Sequence, residues 1–295
     1  MTIDIGRVGI WAASFVWAKA GSDTGTVAAE LDELGYGTTW VGNEGGDLNV
    51  VSAVLDGSRR MTVASGIVNI WNNPAGALAT RYAEIAAQHP NRALLGIGNS
   101  HAPAVDPTSG TRYEKPFSKT VDYLDQLDAA ALPTENRILA ALGPKMLALA
   151  GQRSLGAHPF LTTPDHTATA REILGEGPLL APEQKVVLET DPAKARAIAR
   201  GNIAYYLALP NYTNNLLRLG FTADDFGNGG SDRLVDYLVA WGDADTIRKR
   251  VHEHLDAGAD HVAVAVLIEG MVHATPDSWQ LPRAQWRELA PALLD

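Results

Sequence analysis

Polar and ionisable side chains recur just past the ends of apolar stretches in this chain: Asn43-Glu44, Asn69, Asn99-Ser100-His101, His158, Glu189 and Glu269. A carboxyl group and an imidazole are the side chains that most readily move protons near neutral pH. Asparagine and serine beside them can orient a substrate or a heterocyclic ring through hydrogen bonds. Asn43-Glu44 and Ser100-His101 stand in loops flanked by glycine, where a backbone can come close to a ligand. Glu189 and Glu269 read equally well as caps of the helices that follow them.

Other chemistries find no support. Gly96-Ile97-Gly98 begins like a dinucleotide fingerprint, but position 101 is His and no helix starts there. His252-Glu253-His254 places its two imidazoles at i, i+2, on different faces of a helix, so it is read as a solvated face rather than a zinc motif. Asp165-His166 lacks partners at ligand spacing and belongs to a helix start. The chain has no cysteine, which excludes disulfides, iron–sulfur clusters and thiolate metal sites. No metal site is expected.

The elements that must position these groups alternate strand and helix from one end to the other. Strands are predicted at Val8–Trp11, Thr38–Val41, Thr62 to Asn69, Arg92–Gly98, Arg137–Leu142, near His158–Leu161, at Lys185–Glu189 and at His261–Glu269. The helices between them show one apolar face: Val27, Leu31 and Leu34; Leu78, Tyr82 and Ile85; Ile247, Val251 and Leu255. Gly35 sits where the residue after a helix belongs, and Asn73-Pro74 reads as a cap and first helical position. A long polar loop spans Asn99 to Lys115. Eight β-then-α alternations predict an α/β fold of the (β/α)8, or TIM-barrel, type. Such a barrel gathers the polar strand ends around a single mouth, far apart though they are in sequence.

One interval breaks the rhythm. Residues 192–241, between strands seven and eight, hold two or three helices, the aromatic stretch Tyr205 to Tyr212 and the glycine-rich Gly227–Ser231. It is read as an insertion forming a lid or a subunit contact. With 295 residues, 46% apolar and 20% charged, the chain fits one such barrel over 1–295, since these run to about 250 residues before insertions. A net charge of −10 without a basic stripe argues against a nucleic-acid partner. Neither a signal-peptide core nor an apolar run of membrane-spanning length is present, so a cytoplasmic protein without a membrane partner is expected.

The residues Ala64-Ser-Gly-Ile-Val-Asn69 with Asn72-Asn-Pro74, His89-Pro to Gly98, Leu142-Gly-Pro-Lys to Gly151, and Gly156-Ala-His-Pro-Phe160 with Thr163-Pro164 together resemble the bacterial-luciferase-like superfamily of flavin- and deazaflavin-dependent oxidoreductases. The resemblance spans nearly the whole chain and is greatest to the actinobacterial branch that uses the deazaflavin coenzyme F420. It implies a cis peptide at the bulge Gly66–Ile67, backing the central cofactor ring. It also implies cofactor contacts at Asn43, Asn69, Asn99, Ser100, His158 and the Gly143-Pro144 turn, and often a homodimer. The deazaflavin-dependent sugar-phosphate dehydrogenases of the family carry Asp-His after strand two and Glu after strand four. Here those positions are Asn43-Glu44 and His101, and no pair of lysines marks a substrate phosphate.

The resemblance implies an F420-dependent oxidoreductase that moves a hydride between the cofactor's C5 and a small organic substrate, with Glu44 and His101 handling protons. An FMN-dependent monooxygenase on the same scaffold is the alternative, and a catalytically silent cofactor-binding barrel is a third reading.

Overall fold

The computed structural model describes residues 3–106, 110, 112–273 and 275–294. Its strands are β1 (Val8–Ala13), β2 (Thr38–Gly42), β3 (Thr62–Ser65), β4 (Val68–Asn69), β5 (Ala93–Gly98), β6 (Arg137–Leu139), β7 (Gly156–Ala157), β8 (Leu179–Leu180), β9 (Glu183–Val187), β10 (Val239–Trp241) and β11 (Val262–Val266). All pair in parallel, in the order β10-β9-β11-β1-β2-β3-β5-β6-β7-β8, with β4 beside β5.

The sheet closes on itself. β8 and β9 are two parts of one barrel strand, interrupted at Ala181-Pro182 because proline has no N–H to give. The Ala181 and Glu183 N–H groups donate to Ala157 and Pro159 (2.9 and 2.8 Å). On the other side, Asp260 and Ala263 donate to Leu180 and Pro182 (2.9 Å each). The expected (β/α)8 barrel is therefore the fold. β10, which the sequence does not announce, adds to the upper part of β9.

Inward and outward residues alternate along each strand. On β11, Val262, Val264 and Val266 face the helix layer, while Ala263 and Ala265 face the interior. Interior positions are mostly small elsewhere too, Ala64 on β3 and Ala181 between β8 and β9. They make room for the indoles of Trp11 and Trp40. Trp40 stacks on the His158 ring (4.0 Å between centroids) and donates from Nε1 to His261 Nε2 (3.0 Å). Gly9 is required beside them, since a Cβ there would meet the His261 ring at 2.9 Å.

Several local expectations shift. The sixth strand is Gly156–Ala157 rather than His158–Leu161, because Pro159 offers no N–H and Leu161 takes a left-handed φ of 56°. The seventh begins before the expected Lys185, with Leu179–Leu180 and then Glu183–Val187. Asn73 does not cap the helix Ala75–Gln88. Its Oδ1 accepts from Gly46 N (2.9 Å) and its Nδ2 donates to Asn69 O (2.8 Å), tying two mouth loops together. His254 is not solvated but wholly buried, held between Thr167 Oγ1 (2.8 Å) and Gln184 Oε1 (2.9 Å). The loop after β5 contains a short helix, Ala102–Val105; residues 107–109 and 111 of that loop lie outside the described residues. Gly35 ends its helix at φ 97° as expected.

The insertion contains the helices Pro192–Ile203, Pro210–Arg218 and Asp232–Leu238. They share a hydrophobic core of their own, built on Ile203, Tyr206, Leu216 and Leu234, that continues onto Val187, Val239 and Leu267 of the barrel top. No helix among the described residues is long and apolar enough to cross a membrane.

Candidate active site

Because every strand runs the same way, the C-terminal ends of β2, β3 with β4, β5 and β6, and the segments that follow β2, β3, β5 and β6, emerge on one rim. This brings Asn43, Glu44, Gly66, Ile67, Asn69, Asn99, Ser100, His101, Gly143 and Pro144 to the C-terminal mouth of the barrel. The Gly66–Ile67 peptide is cis. Asn43 and Ser100 both adopt left-handed φ (52° and 53°), a conformation that Asn tolerates better than most residues.

Glu44 is buried to 4% exposure. Its Oε1 accepts from the N–H of Val50 (3.1 Å) in the first turn of the helix Asn49–Gly57, which has no other side-chain cap. Its Oε2 has no hydrogen-bond partner among the described residues. Burial raises its pKa to about 7, outweighing the backbone N–H groups that hold the ionised form, with nearby Asp47 adding a smaller push upward. A carboxyl group so placed is partly protonated at neutral pH.

His101 stands across the sequence from Glu44 but on the same rim. Its ring lies 5.1 Å from Tyr212 of the insertion, and a hydrogen bond to Asn211 partly offsets the burial that lowers its pKa. The partners of the two groups differ: Glu44 is anchored in the β2 loop, His101 against the insertion. Asn99 donates from Nδ2 to Thr120 Oγ1 (2.6 Å), leaving buried Oδ1 without a partner. Asn69 turns inward on its own loop, its Oδ1 accepting from Trp71 N (2.9 Å). Gly143 caps the helix Pro144–Arg153, and no atom lies within 4 Å of where its Cβ would be. That helix start is open to an approaching group.

His158 lies deeper than its neighbours in the candidate set. It is fully buried, its Nδ1–H donating to Ala181 O (2.6 Å), and burial lowers its pKa to about 4, which leaves the ring neutral. Its unpartnered Nε2 lies 3.3 Å from where a Gly66 Cβ would be, beneath the cis peptide. Glu189 does not cap the next helix: Asp191 does, accepting from Ala193 and Lys194 N, while Glu189 accepts from Asp191 N (2.8 Å), and Glu269 is exposed.

The sequence reading missed the centre of the mouth. Glu183 and Lys185, both facing inward from β9, form an ion pair of 2.8 Å at 0% and 2% side-chain exposure. The ammonium lies 4.3 Å from the Phe160 ring centroid, 5.1 Å from Tyr206 and 5.6 Å from Trp11, a cation–π cage in a dry setting. Opposite charges at i, i+2, on the same face of a strand, were the available signal. Trp11 spans the mouth, donating from Nε1 to Gly66 O (3.1 Å). Its ring rests where a Gly42 Cβ would come within 2.0 Å. Gly42→Ala should therefore displace the indole and cost about 1–3 kcal/mol by overpacking. A lower urea midpoint with shifted tryptophan emission would show it, and an unchanged midpoint would mean that the ring yields freely.

These residues suit a planar heterocycle. Glu44 Oε2 and Asn99 Oδ1 are buried oxygens without partners, able to take ring N–H or hydroxyl groups, and the open helix start at Gly143 offers N–H groups to an anionic tail. Among the described residues no group of three His, Asp or Glu could hold a metal ion.

Comparison with known proteins agrees with this architecture. Structures covering 98% of this chain include an F420-dependent secondary alcohol dehydrogenase in complex with an F420–acetone adduct (14% identity, 99% of that chain, TM-score 0.73). Another is the coenzyme F420-dependent tetrahydromethanopterin reductase of Methanopyrus kandleri (17%, 98%, 0.72). A third is the oxygenating constituent of 3,6-diketocamphane monooxygenase from Pseudomonas putida, in complex with FMN (14%, 98%, 0.63). At these identities the likeness is one of fold. No match is found among curated protein sequences. The profile of the luciferase-like monooxygenases matches residues 7–261, and with the closed barrel, the insertion after its seventh strand and the polar rim this establishes that the chain belongs to the luciferase-like monooxygenase family.

Proposed function

We propose that this protein is an oxidoreductase using a deazaflavin of the F420 type, transferring a hydride to or from a small organic substrate. The observation that carries this reading is Glu44, a buried carboxyl group with one oxygen free and a pKa of about 7. Hydride transfer to a carbonyl or from a hydroxyl needs a proton carrier of that kind beside the site. Two F420-dependent enzymes are among the structures that share this fold.

When bound, the deazaflavin supplies the hydride chemistry. In this reading Glu44 takes or gives the proton at Oε2 while Oε1 stays fixed to the helix start. His101 is the second proton carrier, kept against Tyr212. Asn43, Asn69, Asn99 and Ser100 would orient the ring, with Gly66 and Ile67 also holding it. Gly143 and Pro144 would receive the tail, and His158 would support this site from below the rim. Tyr212 and Tyr206 shield the mouth from water. A second reading, an FMN-dependent monooxygenase, draws its support from the FMN complex on the same fold.

A fluorescence titration of the apo protein with oxidised F420 and, in parallel, FMN tests the proposal. Micromolar F420 binding with negligible FMN binding is expected. The reverse would favour the monooxygenase, and binding of neither would sink both. His101→Ala should lower turnover about 10²-fold or more while changing cofactor affinity little; unchanged turnover would remove His101 from proton transfer.

A further inference from the structure

Two parts of the chain, distant in sequence, hold His101. Its backbone belongs to the loop after β5. There its carbonyl accepts from Ala104 N (2.9 Å) and Val105 N (3.0 Å), and the carbonyl of neighbouring Ser100 accepts from Tyr113 Oη (3.4 Å). The side chain does not cap the short helix Ala102–Val105 that it precedes. Its ring turns instead to two successive residues of the insertion. It lies 5.1 Å from the Tyr212 ring, tilted by 52°, and is hydrogen-bonded to the side chain of Asn211.

Those two residues are placed to orient it. Both stand in the first turn of the helix Pro210–Arg218, where Pro210 presets the backbone. Tyr212 is buried, packed edge-on against Tyr206 (5.4 Å) and beside Phe160 (6.2 Å), which in turn meets Trp11 (5.3 Å). Its ring is therefore a fixed wall. Asn211 is exposed, so the core of the insertion makes no use of its amide.

The direction of the hydrogen bond follows from its effect. Burial lowers the His101 pKa, so the ring is neutral at pH 7, with one N–H and one bare nitrogen. The bond to Asn211 acts in the opposite sense and favours the charged ring, which is what a ring N–H donating to an amide oxygen does. An amide oxygen so placed selects the nitrogen that keeps its proton and leaves the other free to accept one. Being uncharged, it does this without holding the ring protonated, as a carboxylate would. We infer that Asn211, with the Tyr212 ring as a wall, is a positioning residue that fixes the tautomer and direction of the His101 imidazole, so that the insertion completes the proton-handling site. As a part of catalysis this rests on His101 being a proton carrier; the fixed tautomer does not.

The test uses the full chain without cofactor, isotope-labelled on its histidine nitrogens, and long-range proton–nitrogen correlation spectra at pH 8. The His101 signals are identified by their loss in His101→Gln. The wild type should show one ring nitrogen protonated and the other bare. Asn211→Leu should move both at least halfway toward a common, averaged position. Should that variant not fold, Asn211→Ser, too short to reach the ring, should do the same. Asn211→Asp, which keeps an acceptor oxygen, should keep the N–H on the original nitrogen. An averaged tautomer in the wild type would overturn the inference, as would one unchanged by loss of the amide. With a substrate in hand, Asn211→Leu should lower kcat about tenfold or more and change KM little; an unchanged kcat would overturn its part in catalysis. A fixed tautomer in a protein that binds neither F420 nor FMN would sink the proposed reaction and leave this contact standing.

Discussion

Glu44→Gln is expected to raise stability at pH 8 by up to about 3 kcal/mol and to change it little at pH 4. Burial raises the Glu44 pKa from 4.5 in an unfolded chain to about 7 in the fold. As pH rises through 4.5 the unfolded chain releases this proton while the folded protein retains it. Stability therefore falls from about pH 4.5 to about pH 7 and is flat above, where both states are ionised. A glutamine has no proton to lose in that window, so the slope disappears, while its Oε1 can still accept from Val50. The same substitution should lower turnover at least 10²-fold, because Oε2 no longer carries a proton. Urea midpoints of both proteins at pH 5 and pH 8 read the first effect. Parallel midpoints across that range would show that Glu44 titrates as an ordinary surface carboxylate and would remove the basis for its role.

Lys185→Met should cost about 3–5 kcal/mol, because it leaves the Glu183 carboxylate buried without its partner. Against a total stability on the order of 5–15 kcal/mol this brings the fold near its limit. Replacing both residues, Glu183→Leu with Lys185→Met, should recover most of the loss, since the desolvation of two charges vanishes together with their attraction. A double-mutant cycle from urea denaturation measures the coupling. Single variants that each cost under about 1 kcal/mol would mean that water reaches the pair.

Much of this architecture was legible in the sequence. The alternation of apolar strands with one-faced helices indicated the barrel, and the polar residues after each strand marked its mouth. Gly35 and the helix starts at Pro144 and Pro164 follow from local backbone preferences, which a few residues settle among themselves. The rim positions of Glu44 and His101 were legible because each follows closely on a strand end. The resemblance to a family indicated the cis peptide at Gly66.

Other features depended on contacts between distant segments. Asn73 could cap its own helix by local preference, yet it bridges Gly46 and Asn69 because the barrel brings those loops to it. His254 looked solvated until the strand bearing Gln184 and the helix bearing Thr167 enclosed it. Glu183 and Lys185 became a caged ion pair only when Phe160, Tyr206 and Trp11 converged from three parts of the chain. Periodicity records which face of an element is apolar, and that determined the barrel and its rim. Burial and pKa shifts arise from which faces meet, a property of closure that no single segment contains.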